Sequence, residues 1–394
     1  MEELFEASNV DYCVQPEQDC SHVQSNNSYS SFSVGPVPCY LSIVSDTLSC
    51  IACVTMLAIY ITWADIRQNI AQAIVTFIAI ADFLTAAGYL TGSFNLLTHV
   101  FTDRRPDRRG CDVFTTVCEV QSYIVTYATM SSYFWTIILA FHFYMTIAQE
   151  RPNFTKRLLP FYHLIAWGVP ILIAFPLLCV GKLAYAPFVT GMWCYMEIYR
   201  NSPPFGDNGT AVSVVTQLPE IVAFFLIIVL FSLTWITIYK QAKVVVHQGG
   251  LLVREQAVAM ERVSRVSRIL LFVPVLFVLL RVWAVVQFLY ISYLSHLTDE
   301  SGRCIPTDPH KTIHVALGVL QAIGAGGQGW TNAILYIFFS PKIRRRLLCC
   351  FFARCKEQCG KRKSRESQNA SVTQCSPLLE SVTSASFVRD RNVV

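Results

Sequence analysis

Long hydrophobic stretches dominate the chain, and shorter polar segments separate them. An α-helix needs about 20 mainly apolar residues to cross the hydrocarbon core of a bilayer. Seven stretches meet this requirement, so the pattern predicts an all-α membrane protein, a bundle of seven transmembrane helices. The predicted spans are residues 40–63, 71–97, 114–147, 160–180, 213–239, 267–294 and 311–338.

A short amphipathic helix is predicted directly after the seventh span. Ser340 and Pro341 are typical of a helix start, and apolar residues then recur at helical spacing opposite a basic face. Such a helix lies on the inner leaflet, with its basic face towards anionic headgroups. Cys349 and Cys350 are candidate palmitoylation sites at its end.

These patterns divide the chain into four predicted parts. The polar tail is expected to be disordered because it cannot bury a core. The parts are an extracellular N-terminal segment (1–39), the bundle (40–339), the membrane-surface helix (340–352) and a cytoplasmic tail (353–394).

Basic residues predict the orientation, because Lys and Arg near span ends favour the cytoplasmic side. The first 38 residues contain neither, whereas residues 240–268 and 342–363 are rich in both. We therefore expect the N-terminus outside and the C-terminus in the cytoplasm, at the plasma membrane. The loop with Arg104, Arg105, Arg108 and Arg109 opposes this majority.

Two glycosylation acceptor patterns agree with the predicted topology. They begin at Asn26, in the N-terminal segment, and at Asn208, between spans four and five. Matching patterns at Asn153 and Asn369 would face the cytosol and stay unmodified.

The composition supports a membrane protein and gives no reason to expect nucleic-acid binding. The chain is 53% hydrophobic and 14% charged, whereas soluble domains carry about a quarter charged residues. The net charge of +5 is too small to indicate a nucleic-acid partner.

Ionisable residues inside membrane spans are costly and usually face the bundle interior. Asp82 lies mid-span, and Glu220 and Arg281 have similar depths on consecutive spans. We hypothesise that Glu220 and Arg281 pair, or that they flank a ligand with polar or charged groups. A structural ion pair or a snorkelling Arg is the alternative. Trp283, in the same segment as Arg281, is a third candidate for the pocket.

Pro274 is a candidate conformational switch in span six. A proline removes a backbone donor and kinks its helix. A kink beside the long basic loop would allow the inner end of span six to swing, and a static bend is the simpler alternative.

Other kinds of functional site find little support in the sequence. Residues 324–329 match the dinucleotide fingerprint, but that motif has meaning only between a strand and a helix, and here it lies in a span where small residues allow close packing. No coherent catalytic set, cofactor motif or metal-ligand pattern is present, so we predict neither an enzyme nor a metal site. A seven-span transporter or channel remains the alternative function, although no internal repeat is found.

Several local strings resemble a known family. Residues 131–136, 161–170, 191–194 and 280–283 are similar, in order and spacing, to the orphan group of G-protein coupled receptor 157, which is related to the slime-mould cyclic-AMP receptors. The likeness covers about residues 40 to 350. It implies a receptor acting through heterotrimeric G proteins, with arrestin as a partner of the phosphorylated tail.

The resemblance also implies roles for individual residues. Cys118 and Cys194 would form the conventional extracellular bridge, whereas the residues alone leave open that either is unpaired or pairs with Cys111. The partners of Cys13, Cys20, Cys111 and Cys304 cannot be deduced. The implied switch residues are Asp82 in span two, and Asn332 and Tyr336 at the end of span seven.

One departure concerns the inner end of span three. Many receptors have Asp-Arg-Tyr there, whereas this chain has His142, Phe143 and Tyr144. The usual Arg switch is therefore absent, and Phe143 takes its place as a switch candidate. No ligand is implied.

Overall fold

The computed structural model describes most of the predicted spans. The described residues are 36–99, 108–149, 152–181, 183–184, 193–196, 207–247, 276–290, 308–339, 343–344 and 346–347.

The long helices coincide with predicted spans and extend slightly beyond them. They are span 1, Pro36–Thr62; span 2, Ile70–His99; span 3, Arg108–Phe143; span 5, Asp207–His247; and span 7, Asp308–Phe339. Span 6 is described as the shorter apolar helix Leu276–Tyr290.

Span 4 is broken into pieces, and prolines account for part of this. It comprises Leu159–His163, a π-helical turn Leu164–Gly168 and Val169–Cys179, and a separate short helix, Pro152–Arg157, precedes it. Pro170 follows the π-turn and Pro176 lies inside the last piece, and each removes a backbone donor. A second π-turn, Tyr144–Ala148, ends span 3.

Five of the described helices are long and apolar enough to cross a membrane. Their outward side chains are correspondingly hydrophobic: Leu164, Leu172 and Phe225 are exposed. In water such exposure would be costly, but lipid is as apolar as these side chains. The chain is therefore a multi-pass membrane protein.

The bundle interior contains buried polar side chains as well as apolar ones. Span 3 contributes Trp135, Ser131 and Ser132, all fully buried. Ala, Ser and Gly at these interfaces allow the helices to approach closely, as is usual in membrane bundles.

The segment between spans 4 and 5 contains a small antiparallel hairpin that the all-α prediction did not include. Leu183–Ala184 pairs with Tyr195–Met196, with Leu183 opposite Met196. The disulfide Cys118–Cys194 ties this segment to the outer part of span 3, which confirms the predicted bridge. Gln121 supports the same connection, because its Oε1 accepts a hydrogen bond from the backbone N–H of Cys194 at 3.0 Å.

The chain divides into two compact units, Met1–Ile238 with Leu271–Ala333, and Tyr239–Leu270 with Ile334–Val394. The candidate site described next lies entirely within the first unit.

Candidate functional site

A cavity lies in the bundle beside the disulfide-tied segment. It has about 480 Å³ of space not filled by atoms, its solvent-open part included. Its lining is largely aromatic and polar, with Trp193 and Tyr195 contributed by the segment between spans 4 and 5. The other lining residues are Tyr89, Thr129, Tyr133, Gln217, Glu220, Arg281, Ala284, Phe288, Gln321 and Ala325.

The structure brings Glu220 and Arg281, which the sequence places at similar depths, to the same cavity. Both are almost completely buried, with exposed fractions of 5% and 2%. Tyr133 interacts with both charged groups. Its side chain interacts with the Glu220 carboxylate, and its ring centroid is 5.4 Å from the Arg281 guanidinium carbon. Pro219, inside span 5, immediately precedes Glu220.

The described residues do not fully satisfy either charged group. Among the described residues, Oε1 of Glu220 and Nη2 of Arg281 have no hydrogen-bond partner. Leaving such groups unpaired in a buried site costs free energy. Both side chains therefore keep a polar atom available to a ligand.

A buried chain of hydrogen bonds leads from this cavity into the bundle. Nε of Arg281 donates to Oε1 of Gln328 at 2.5 Å. Nε2 of Gln328 donates to Oγ of Ser132 at 2.9 Å, and Ser132 in turn donates to Oδ1 of Asp82 at 2.7 Å. Nδ2 of Asn332 donates to Oδ2 of Asp82, also at 2.7 Å.

This relay (Arg281, Gln328, Ser132, Asp82, Asn332) connects spans 6, 7, 3 and 2. The sequence identified Arg281, Asp82 and Asn332 but missed Gln328 and Ser132, which are uncharged. Their positions were nonetheless visible as polar residues within predicted spans.

A third buried acid, Asp46, was also missed by sequence reasoning. It is fully buried in span 1, and its Oδ2 accepts a hydrogen bond from Ser42 at 2.6 Å. A signal was present, because Ser42, Ser45, Asp46 and Ser49 recur at the spacing of one helix face.

That polar face of span 1 packs on the small residues of span 7. Oγ of Ser49 donates to the carbonyl oxygen of Gly326, and Oγ of Ser45 donates to that of Ile323 at 3.4 Å. The glycines rejected as a nucleotide motif thus lie at a helix–helix contact, as expected for small residues in membrane spans.

The remaining candidates lie away from the cavity lining. Trp283 is half-buried and lies against Gly324 of span 7. Phe143 is buried, with its ring centroid 6.4 Å from that of Phe231 in span 5. Tyr336 is half-buried near the end of span 7.

Several sequence predictions fall on residues that the structure does not describe. Pro274, Asn26, Cys349 and Cys350 lie outside the described residues, as do Cys13, Cys20 and Cys304. Asn208 and Cys111 lie in the first turns of spans 5 and 3, but their side chains are not described.

No group of three or more His, Cys, Asp or Glu side chains that could hold a metal is found within the described part of the chain.

The sequence of the chain matches a known receptor family. A family model described as the seven-transmembrane receptors of the secretin family matches residues 37–286. The match includes spans 1 to 5 and most of described span 6, with Glu220 and Arg281.

Two curated relatives extend the likeness. G-protein coupled receptor 157 of Rattus norvegicus is 27% identical over 316 residues, covering 79% of this chain and 86% of that protein. Cyclic AMP receptor 1 of Dictyostelium discoideum is 26% identical over 89 residues, covering 23% of this chain and 21% of that protein.

A solved structure confirms the predicted fold class. The crystal structure of squid rhodopsin superposes with a TM-score of 0.55 at 13% identity, covering 78% of this chain and 83% of that one. The seven-transmembrane helix bundle predicted from hydrophobic pattern alone is therefore correct.

Proposed function

The chain belongs to the secretin family of seven-transmembrane receptors, and from this premise we propose that it transmits the binding of an extracellular ligand to heterotrimeric G proteins. Family membership also confirms that it is a receptor and not an enzyme. The name of its relative, G-protein coupled receptor 157, supports the coupling.

The observation that carries the proposal is the relay between the cavity and the bundle interior. Arg281 lines the cavity, and its Nε donates a hydrogen bond to Gln328. A ligand that engages Arg281 therefore acts on a side chain already bonded to span 7, and through Ser132 on Asp82 and Asn332. Ligand binding would favour one of two pre-existing arrangements of these spans.

The cytoplasmic partners follow from the proposed orientation. With the N-terminus outside at the plasma membrane, segments 148–158, 240–266 and 340–352 face the G protein. In this arrangement the palmitoylated Cys349 and Cys350 anchor the last segment to the inner leaflet. Arrestin would bind the phosphorylated tail.

Agonist-independent signalling tests the proposal without a known ligand. We would express the full chain in cells carrying a reporter for each G-protein class and compare it with a chain ending at residue 339. The matched control ends at residue 363, which keeps the membrane-surface helix and the basic segment. We expect output from the full chain and the control, and loss of output from the shorter chain at equal surface expression.

A chain that gives no G-protein output points to the alternative function. Silence of the full chain towards every G-protein class, together with solute flux, would favour the transporter alternative. An epitope placed ahead of Tyr40 tests the orientation in the same cells, since detection only after permeabilisation would overturn an external N-terminus.

A further inference from the structure

We infer that the cavity binds a small zwitterion, a molecule that carries an ammonium group close to a carboxylate, as an α-amino acid does. The inference rests on the proposed receptor function and specifies the ligand's chemistry. It comes from polar atoms that have no partner among the described residues and that belong to side chains lining the cavity.

Three buried acceptors on lining side chains have no donor among the residues that the structure describes. They are Oε1 of Glu220, Oε1 of Gln217 and Oε1 of Gln321. All three side chains line the cavity, and each is more than nine-tenths buried. A primary ammonium group has three N–H donors and no acceptor, so it complements this set, and Glu220 supplies the opposite charge.

One buried donor of a lining side chain has no acceptor in the described part of the chain. Nη2 of Arg281 is unpaired, while Nε of the same guanidinium is bonded to Gln328. The guanidinium is planar and matches a carboxylate well, because its donors have a fixed geometry. Gln328 therefore holds the group in place and leaves another edge for an anionic oxygen.

Ligands with a single charge fit these atoms less well. An amine would satisfy the acceptors but leave Nη2 of Arg281 buried and unpaired. An acid would satisfy Arg281 but leave Oε1 of Glu220 without a donor. A buried charge that loses its partner is strongly unfavourable, so the presence of both charges favours a ligand that carries both.

The aromatic walls suit the rest of such a ligand. The rings of Tyr89 and Trp193 lie 4.1 Å apart between centroids, and Tyr133 and Phe288 also line the cavity. These rings provide apolar contact for the side chain of the ligand.

Thermal stability of the purified full-length receptor provides the test. The probes are the twenty common amino acids, each added singly to receptor in lipid nanodiscs. For each amino acid that raises the Tm, the decarboxylated amine and the deaminated acid of the same skeleton are compared. We expect at least one amino acid to raise the Tm, and both of its analogues to bind at least about tenfold more weakly.

Three variants assign the two charges. Glu220→Gln should reduce affinity for the amino acid and leave the deaminated acid unaffected. Arg281→Lys should reduce affinity for the amino acid and leave the amine unaffected, since one lysine nitrogen cannot serve both Gln328 and the ligand. Glu119→Gln, an exposed carboxylate on span 3, is the control and should bind as the wild type does.

Two results would overturn the inference. If no amino acid changes the Tm of the wild type, water alone satisfies the unpaired atoms. If the amine or the acid binds as tightly as its parent amino acid, one of the two charges is not recognised.

Failure of the ligand class and failure of the receptor function are distinguishable. Agonist-independent output without amino-acid binding would leave the receptor function standing and remove the zwitterion. Amino-acid binding without output from any G-protein class would keep the zwitterion and remove the receptor function.

Discussion

Gly324 of span 7 lies directly against the carbonyl oxygen of Leu280 in span 6, so closely that no Cβ would fit between them. Arg281 follows Leu280, and Gln328 lies one helical turn beyond Gly324. The close contact of the two backbones therefore brings Arg281 within hydrogen-bonding distance of Gln328.

Gly324→Ala should destabilise the receptor because the new methyl group meets backbone rather than a movable side chain. Overpacking of this kind costs about 1–3 kcal/mol, so we expect a lower Tm and less receptor at the cell surface. Gly168→Ala is the matched control, since its Cβ would lie 3.7 Å from the nearest atom, Cδ1 of Leu164. Equal Tm values for the two variants would contradict the close contact.

One substitution should separate the two hydrogen bonds that the Gln328 side chain makes. Gln328→Glu keeps an oxygen for Nε of Arg281 but loses the Nε2 donor that bonds Ser132. Gln328→Leu, of similar length, loses both bonds. If the relay carries the signal, both variants should alter agonist-independent output at equal surface expression, whereas only Gln328→Leu should weaken amino-acid binding by displacing Arg281.

One result would refute a role of the relay in signalling. Wild-type output from Gln328→Glu would show that the Gln328–Ser132 bond does not take part in signalling.

Much of the fold follows from sequence because the bilayer imposes one strong requirement, a run of about 20 apolar residues for each span. The outer disulfide required the family resemblance, because several cysteines compete for partners. The hairpin Leu183–Ala184 with Tyr195–Met196 was missed, since strands of two residues carry no periodic signal.

The candidate site was only partly predictable for a different reason. Glu220, Arg281 and Asp82 attract notice because charge in a membrane is rare. Gln328 and Ser132 are ordinary polar residues, and only tertiary packing shows that they connect the charged ones. Asp46 lies so near the start of its span that its burial was not anticipated.

The bond between Asp82 and Asn332 can be tested by exchanging the two residues. Asp82→Asn should lose one of the two bonds that its carboxylate accepts, from Ser132 and Asn332, and Asn332→Asp should set two carboxylates side by side. The double variant restores a donor opposite an acceptor. We expect both single variants to lower the Tm and the double variant to recover part of it, with a coupling of about 0.5–3 kcal/mol. Additive losses would indicate that the two side chains do not interact.

The disulfide offers a prediction about folding. Cys118→Ala and Cys194→Ala should each reduce the Tm and surface expression, because removing a native disulfide typically costs about 2–5 kcal/mol. The double variant should be no worse than the single ones, since one bond is lost in each case. Cys179→Ala, which removes an exposed free cysteine, is the control and should leave both measurements unchanged.

Glycosylation gives a test of orientation that is independent of any ligand. If the N-terminus is outside, Asn26 and Asn208 are exposed to the secretory lumen during synthesis, whereas Asn153 and Asn369 stay in the cytosol. Electrophoresis before and after glycosidase treatment should then show a stepwise mass loss for Asn26→Gln and Asn208→Gln, and no change for Asn153→Gln or Asn369→Gln. The opposite pattern would reverse the topology, placing the cavity and the disulfide on the cytoplasmic side. The lumen is oxidising and the cytosol is reducing, so a buried Cys118–Cys194 bridge agrees with the first pattern and not with the second.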